Sequence, residues 1–224
     1  MAESGSNKTS VGLLILWPAA ITLAVTLLRV EGELHHWSSM WFNRSAGGAG
    51  ALVGISWLPV FFGPYFALRL AAADEGPVSY GRAFGATLAA LIVMIGGVVL
   101  VGLTESRPSI LTLAGFVIIL AAALIPGIGW GRLGKTLLAY AFAARIPVLV
   151  VMYFAMKGNW GTHYDAVRPD YQDLALGKKF FEMAFLPQMF MWIAYTVVVG
   201  SLFGGIAGAL WGRKSPGVHG TPGI

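Results

Sequence analysis

One charge stands alone inside an apolar run. Arg145, in Ala143-Ala144-Arg145-Ile146-Pro147, lies about midway along the stretch Thr136–Met156, which holds no other charged residue. If that stretch crosses a bilayer, the guanidinium costs at least about 2.5–3.5 kcal/mol at the centre. A side chain of roughly 6–7 Å cannot reach an interface about 15 Å away. Arg145 therefore requires partners inside the protein, and no Asp or Glu lies in the middle of any apolar run. Pro147 lacks an N–H and frees the carbonyl of Ala143, while Tyr140 and Tyr153 offer hydroxyls on neighbouring turns. The chemistry of such a site is the binding of an anionic group, with Arg145, Tyr140 and Tyr153 as candidates. The bland alternative is a span broken at Pro147, with Arg145 capping helix ends near an interface.

A second set of polar residues suggests metal. Glu31, Glu33, His35 and His36 share one connection, and His163, Asp165, Asp170 and Asp173 share another expected on the same face. Imidazole and carboxylate together suit zinc or iron. However, His35 and His36 are adjacent and point apart, and no pair has the i, i+3 or i+4 spacing of a helical metal motif. His35, His36, His163 and Asp165 are thus weak metal candidates, and no cofactor is assigned. The chain has no cysteine, so thiolate sites and disulfides are excluded.

Gly129 to Thr136 reads G-W-G-R-L-G-K-T, a letter-for-letter phosphate-loop pattern. The chemistry needs a strand feeding the loop within a parallel sheet. An apolar span precedes this match and another follows it, so nucleotide hydrolysis is not expected. Nucleophile-elbow and zinc-protease signatures are missing as well. The catalytic inventory is poor.

The elements that must position these residues are helices. Hydrophobic residues make up 57% of the chain and charged residues 11%, against about a quarter charged in a soluble domain. About 20 apolar residues cross a bilayer core as a helix. Six stretches meet or approach that length: Val11–Leu28, Gly48–Leu68, Ala83–Thr104, Ser109–Ile128, Thr136–Met156 and Phe185–Trp211. The expected fold is an all-α integral membrane protein, a bundle of about six transmembrane helices spanning 11–211. A short polar tail precedes it at 1–10, and a disordered Gly/Pro-rich tail follows at 212–224. Val11–Leu28 exceeds a signal-peptide core and ends in Arg29 rather than a small-residue cleavage site, so it reads as a retained first span.

Within this frame, Pro59 and Pro64 should kink the second span. The aromatics of Arg29–Arg44 suit a short helix in the headgroup layer. Glu105-Ser106-Arg107-Pro108 is a tight turn, and Pro187 divides the overlong last stretch. Gly200, Gly204 and Gly208, with Gly81 and Gly85 in the third span, form small-residue stripes that let helix backbones approach. The bases of the long fifth connection are matched by acids, which leaves the positive-inside rule favouring both termini in the cytoplasm, at the cell membrane.

The net charge of +5 comes from bases scattered at the ends of apolar runs, which anchor helices at headgroups; no basic patch suits nucleic acid. Expected partners are membrane lipids, with partner subunits or a second copy meeting the glycine-striped sixth span. The leading functional expectation is an accessory or scaffold subunit of a membrane assembly. The competing one is a small transporter, channel or lipid-handling protein with an anion or lipid-head site at Arg145. The third is an enzyme using the outer His and acidic residues.

Overall fold

The structure, a computed structural model, describes residues 8–48, 50–104 and 109–212. Among these residues the regular structure is entirely helical. The chain runs through α1 (Val11–Leu34), α2 (Leu58–Ala72), α3 (Tyr80–Leu103), α4 (Ile110–Ala122), α5 (Pro126–Gly129), α6 (Gly131–Gly158), α7 (Leu176–Phe180) and α8 (Trp192–Trp211). Five continuous helical segments are long and apolar enough to cross a membrane: α1, α3, α4 with α5, α6, and Leu176–Trp211. The tight turn expected at Glu105–Pro108 and the tail expected from 213 onward lie outside the described residues.

Serine side chains start three of these helices. Ser10, Ser79 and Ser109 each accept a backbone N–H from the first turn, and at Ser109 the Thr112 hydroxyl returns the bond to the cap backbone. The outward faces are as apolar as the inner ones: α3 exposes Leu88, Ile92 and Ile95. Lipid is the solvent that suits such a face, since a helix satisfies its backbone internally.

The second apolar stretch departs from expectation. Only Leu58–Ala72 is helical, 15 residues, and Pro59 stands in its first turn rather than kinking its middle. Proline suits that position because the N–H it lacks would have had no helical partner. At about 1.5 Å per residue, α2 covers roughly 22 Å, short of the bilayer core. The headgroup helix expected in Arg29–Arg44 is also absent. Instead α1 runs on to Leu34 and His36 adopts a left-handed φ of 56°, which ends the helix in turns.

The last stretch is one helical path of 36 residues, Leu176–Trp211. It is not divided at Pro187. Between α7 and α8 it widens into two π turns, Phe181–Phe185 and Pro187–Met191, which accommodate the proline without a break. Of its most apolar window 61% is buried, against 22% for α1 and α3, which makes this the central helix.

α2 lies against α8 at the Gly63–Gly200–Gly204 crossing. A Cβ at Gly204 would stand 2.8 Å from the Gly63 carbonyl oxygen and 3.2 Å from Leu133. Gly208 faces Tyr80 and Trp130. The stripe expected on α8 is therefore used inside the bundle. Gly81 and Gly85 behave differently: Gly85 has nothing within 4 Å of where a Cβ would stand, and Gly81 meets only its own cap, Ser79. They face outward. α3 packs instead through Gly97, whose Cβ would stand 2.9 Å from the Gly115 carbonyl oxygen of α4.

One end of the bundle is closed by Glu75. Its Oε1 accepts the Thr9 N–H at 2.6 Å, its Oε2 pairs with Arg132 Nε, and its carbonyl accepts Trp130 Nε1 at 2.9 Å. Arg132 Nη2 also donates to the Thr9 carbonyl at 2.5 Å. Gly212 lies beside the Tyr80 hydroxyl, so the start of α1 and the end of α8 share this end. Burial pushes the Glu75 carboxyl up, but the Thr9 amide and the Arg132 guanidinium outweigh it and hold the pKa below the ordinary value. A depressed carboxylate pKa stabilises the fold above the unfolded value and loses that contribution as pH falls through the folded one. Melting temperature should therefore drop on acidification below about pH 4, and Glu75→Gln should drop less over the same range. Equal acid sensitivity in both proteins would show that the clamp adds nothing.

Candidate functional site

α6 runs from the clamped end to the opposite one, and Arg145 sits halfway along it. The residue is 4% exposed, and its guanidinium lies 4.7 Å from the centre of the Trp192 ring. Nε is buried without a hydrogen-bond partner, and no hydrogen bond or ion pair to the Arg145 side chain occurs among the described residues. The expected bond to the Ala143 carbonyl is not made. α6 stays helical through Pro147, and a side chain in a helix reaches sideways, here to the first residue of α8. The ring face attracts the charge but supplies no acceptor for five N–H donors.

Arg145 lines a cavity of about 510 Å³ that continues to the end of the bundle opposite Glu75. Thr26 and Arg29 of α1, Ser56, Gln188 of the second π turn and Trp192 of α8 add to its wall, with His163 and Tyr164 from the connection that follows α6. The widened helix contributes five lining residues between Met183 and Trp192. Gln188 Oε1 is a second buried polar atom without a partner.

Behind the cavity residues Arg29 and His163, Glu33 is fully buried and ties two distant segments together. Its Oε1 accepts Arg29 Nε at 2.8 Å and pairs with His163 Nδ1 at 2.6 Å, while Oε2 accepts the His163 backbone N–H at 2.8 Å. Arg29 also donates to the Asn43 carbonyl at 3.2 Å. The His163 ring lies 3.8 Å from that of Tyr164, whose hydroxyl donates to the Thr26 carbonyl. Burial pushes the His163 imidazole down against the pull of Glu33, and its pKa lies below the ordinary value.

The other sequence candidates go elsewhere. Tyr140 is buried, exchanges a 2.8 Å hydrogen bond with Thr22, and packs on Phe62 and Phe66. Tyr153 is 39% exposed and stacks edge-on with Phe154 and Phe180. Helical geometry explains both: at 3.6 residues per turn they sit roughly 140° and 80° around the axis from Arg145. Neither lines the cavity.

The four metal candidates are not brought together. His35 pairs with Glu31 at 2.7 Å on the surface, and His36 Nδ1 lies 3.0 Å from the Leu34 carbonyl. His163 is held by Glu33, and Asp165 accepts N–H groups from Gly161 and Thr162. Among the described residues, no three His, Cys, Asp or Glu side chains are placed to hold a metal ion. The phosphate-loop match is the α5–α6 junction, a helix-to-helix turn with Trp130 at its centre. No strand feeds it.

Sequence reasoning missed Trp192 and Gln188 as site residues, and it placed Glu33 and His163 on one face as possible metal ligands rather than as a bonded pair. A local signal existed for one part: Arg29 and Glu33 are spaced i, i+4 at the end of the first apolar run.

Helix lengths, apolar outer faces and a buried polar cavity define a polytopic α-helical integral membrane protein. No protein-family model, curated protein or solved structure matches the chain.

Proposed function

We propose that this membrane protein takes an anionic group into its interior at Arg145, as a small transporter or lipid-handling protein would. The observation that carries the reading is a nearly fully buried guanidinium with an unpartnered Nε on the wall of a 510 Å³ cavity. A buried charge without hydrogen-bonded compensation is expensive. Carboxylate, phosphate or sulfate oxygens would meet it with bidentate geometry. Trp192, Met152 and Val148 line the same cavity and favour a ligand with an apolar part. With both termini in the cytoplasm, as the charge distribution favours, the cavity opens on the outer side.

The accessory-subunit reading loses one of its supports. It relied on the glycine stripe of α8, which is occupied by α2, α6 and α3 of the same chain.

The test is Arg145→Leu in the detergent-purified full chain. The variant should fold and melt at or above the parent temperature, because replacing a buried charge with a packed apolar residue is often neutral or stabilising. Anionic lipid retained in native mass spectrometry, or added alkyl sulfonate, should bind roughly ten- to a hundredfold more weakly, the value of a charge-assisted hydrogen bond. Arg145→Lys should recover part of the affinity, since a point charge does not reproduce a fork. Unchanged retention in the leucine variant would refute the site.

A further inference from the structure

The cavity holds a second group with a free valence. Glu33 receives the Arg29 guanidinium and the His163 backbone N–H, so it is placed as an ionised, acceptor-only carboxylate. Its 2.6 Å contact with His163 Nδ1 then requires that Nδ1 carry the hydrogen. This fixes the imidazole tautomer and its orientation, as a carboxylate does for a general base. Nε2 is left as a lone-pair atom with no hydrogen bond among the described residues, on a ring that lines the same cavity as Arg145. We infer that His163 Nε2 is the proton-binding site of this cavity, and that an anion bound at Arg145 and a proton bound at His163 enter together. This rests on the proposed reading of Arg145 and deepens it: the transported or stored species is an anion with one proton, the equivalent of a neutral acid.

The charge inventory around His163 supports the pairing. Arg29 and Glu33 of α1 and Asp165 of its own connection act on it directly, the Tyr164 ring packs on it, and Arg145 of α6 lines the same cavity. The cavity residues of the α1–α2 connection and of the π-turn segment carry no titratable side chain. Arg29 and Glu33 offset one another, and Asp165 is held by the Gly161 and Thr162 N–H groups, which leaves Arg145 as the charge without a hydrogen-bonded partner. While the cavity is empty, a second positive charge on His163 is disfavoured by burial. An anion cancels Arg145 and attracts a proton to Nε2. The step is a simple transfer: an O–H bond of the entering acid, or of hydronium, breaks, and an Nε2–H bond forms. By linkage, whatever raises proton affinity when the anion binds must raise anion affinity when the proton binds.

The experiment uses the detergent-purified full chain and dodecanesulfonate, an anion whose charge is constant across the working pH range. Titration calorimetry in two buffers of different ionisation enthalpy counts protons taken up per sulfonate bound. The expected result is uptake of up to about one proton, with affinity rising toward pH 5.5 by at most about tenfold per pH unit. His163→Gln should still bind, with the uptake abolished and the pH dependence flat. Sulfonate binding with no proton uptake, or with equal uptake in His163→Gln, overturns the inference and leaves the Arg145 reading intact. No binding to the wild type at any pH overturns both. Should His163→Gln fail to fold, imidazole NMR of the wild type decides. The His163 titration midpoint should move upward on adding sulfonate, and an unmoved midpoint overturns the proposal. Inorganic sulfate run in parallel separates the sources. Proton-linked binding of sulfate indicates a free anion as the occupant, and proton-linked binding of the alkyl sulfonate alone indicates a lipid-like amphiphile.

Discussion

Replacing Glu33 with Ala should destabilise the protein by about 3–5 kcal/mol, the usual cost of removing one partner from a buried ion pair. The Glu33 side chain has no solvent exposure and receives three hydrogen bonds: one from Arg29, one from the His163 ring and one from the His163 backbone. Alanine deprives all three donors at once, and alanine's small side chain leaves a space that water must fill or the helices must close. The loss also has a topological side. His163 is 130 positions away, so the Glu33 carboxylate, with the Tyr164–Thr26 hydrogen bond beside it, fastens the long α6–α7 connection to the end of α1. Glu33→Gln keeps the volume and one acceptor and should lose less than Glu33→Ala. Thermal unfolding of both variants in the same detergent gives the comparison. An alanine variant that melted with the parent would mean that the buried pair is not part of the folding free energy.

How much of this was readable from residues alone depended on whether the signal was local. Arg145 was legible because a lone charge inside an apolar run is expensive wherever the bundle places it. The six helical regions were legible for the same local reason, since length and hydropathy decide spanning. The facing of each helix was not. In water, a helix shows a 3.6-residue alternation between a wet face and a dry one. In lipid both faces are apolar, and the alternation disappears. Gly81 and Gly85 therefore looked like Gly200 and Gly204, yet one stripe faces outward and the other meets α2. Tyr140 and Tyr153 failed as partners of Arg145 through angle, which sequence spacing did contain. Glu33 and His163 were placed on one face by the order of the spans, but their direct contact was not legible, because nothing near either residue encodes a partner 130 positions distant. The α1–α2 connection shows a limit of composition. Gly48–Trp57 is apolar enough to extend a span, but the helix starts at Leu58 with Pro59 in its first turn, and residues 50–57 before it run in turns and bends.

Gly63→Leu should disrupt the bundle more than any other single glycine replacement on a lipid-independent face. A Cβ at Gly63 would fall on the carbonyl group of Gly200, nearer than nonbonded atoms approach. On the facing helix, a Cβ at Gly204 would stand 2.8 Å from the Gly63 carbonyl oxygen. The obstacles on both sides are backbone atoms, which cannot rotate away as a side chain can. Overpacking of this kind costs about 1–3 kcal/mol and sometimes more, and the upper part of that range is expected here. The consequence should reach the cavity. α8 begins at Trp192, whose ring stacks on Arg145, and Gly200 of the same helix packs on Leu137 of α6. Pushing α8 away from α2 would shift Trp192 relative to the guanidinium, so the anion affinity proposed for the cavity should fall together with melting temperature. Gly85→Leu is the matched control. It places the same side chain on an outward glycine with nothing within 4 Å, where lipid can accommodate it. The control should melt and bind like the parent. If Gly63→Leu did the same, the close α2–α8 crossing would be wrong, and the position of Trp192 over Arg145 would lose its structural basis.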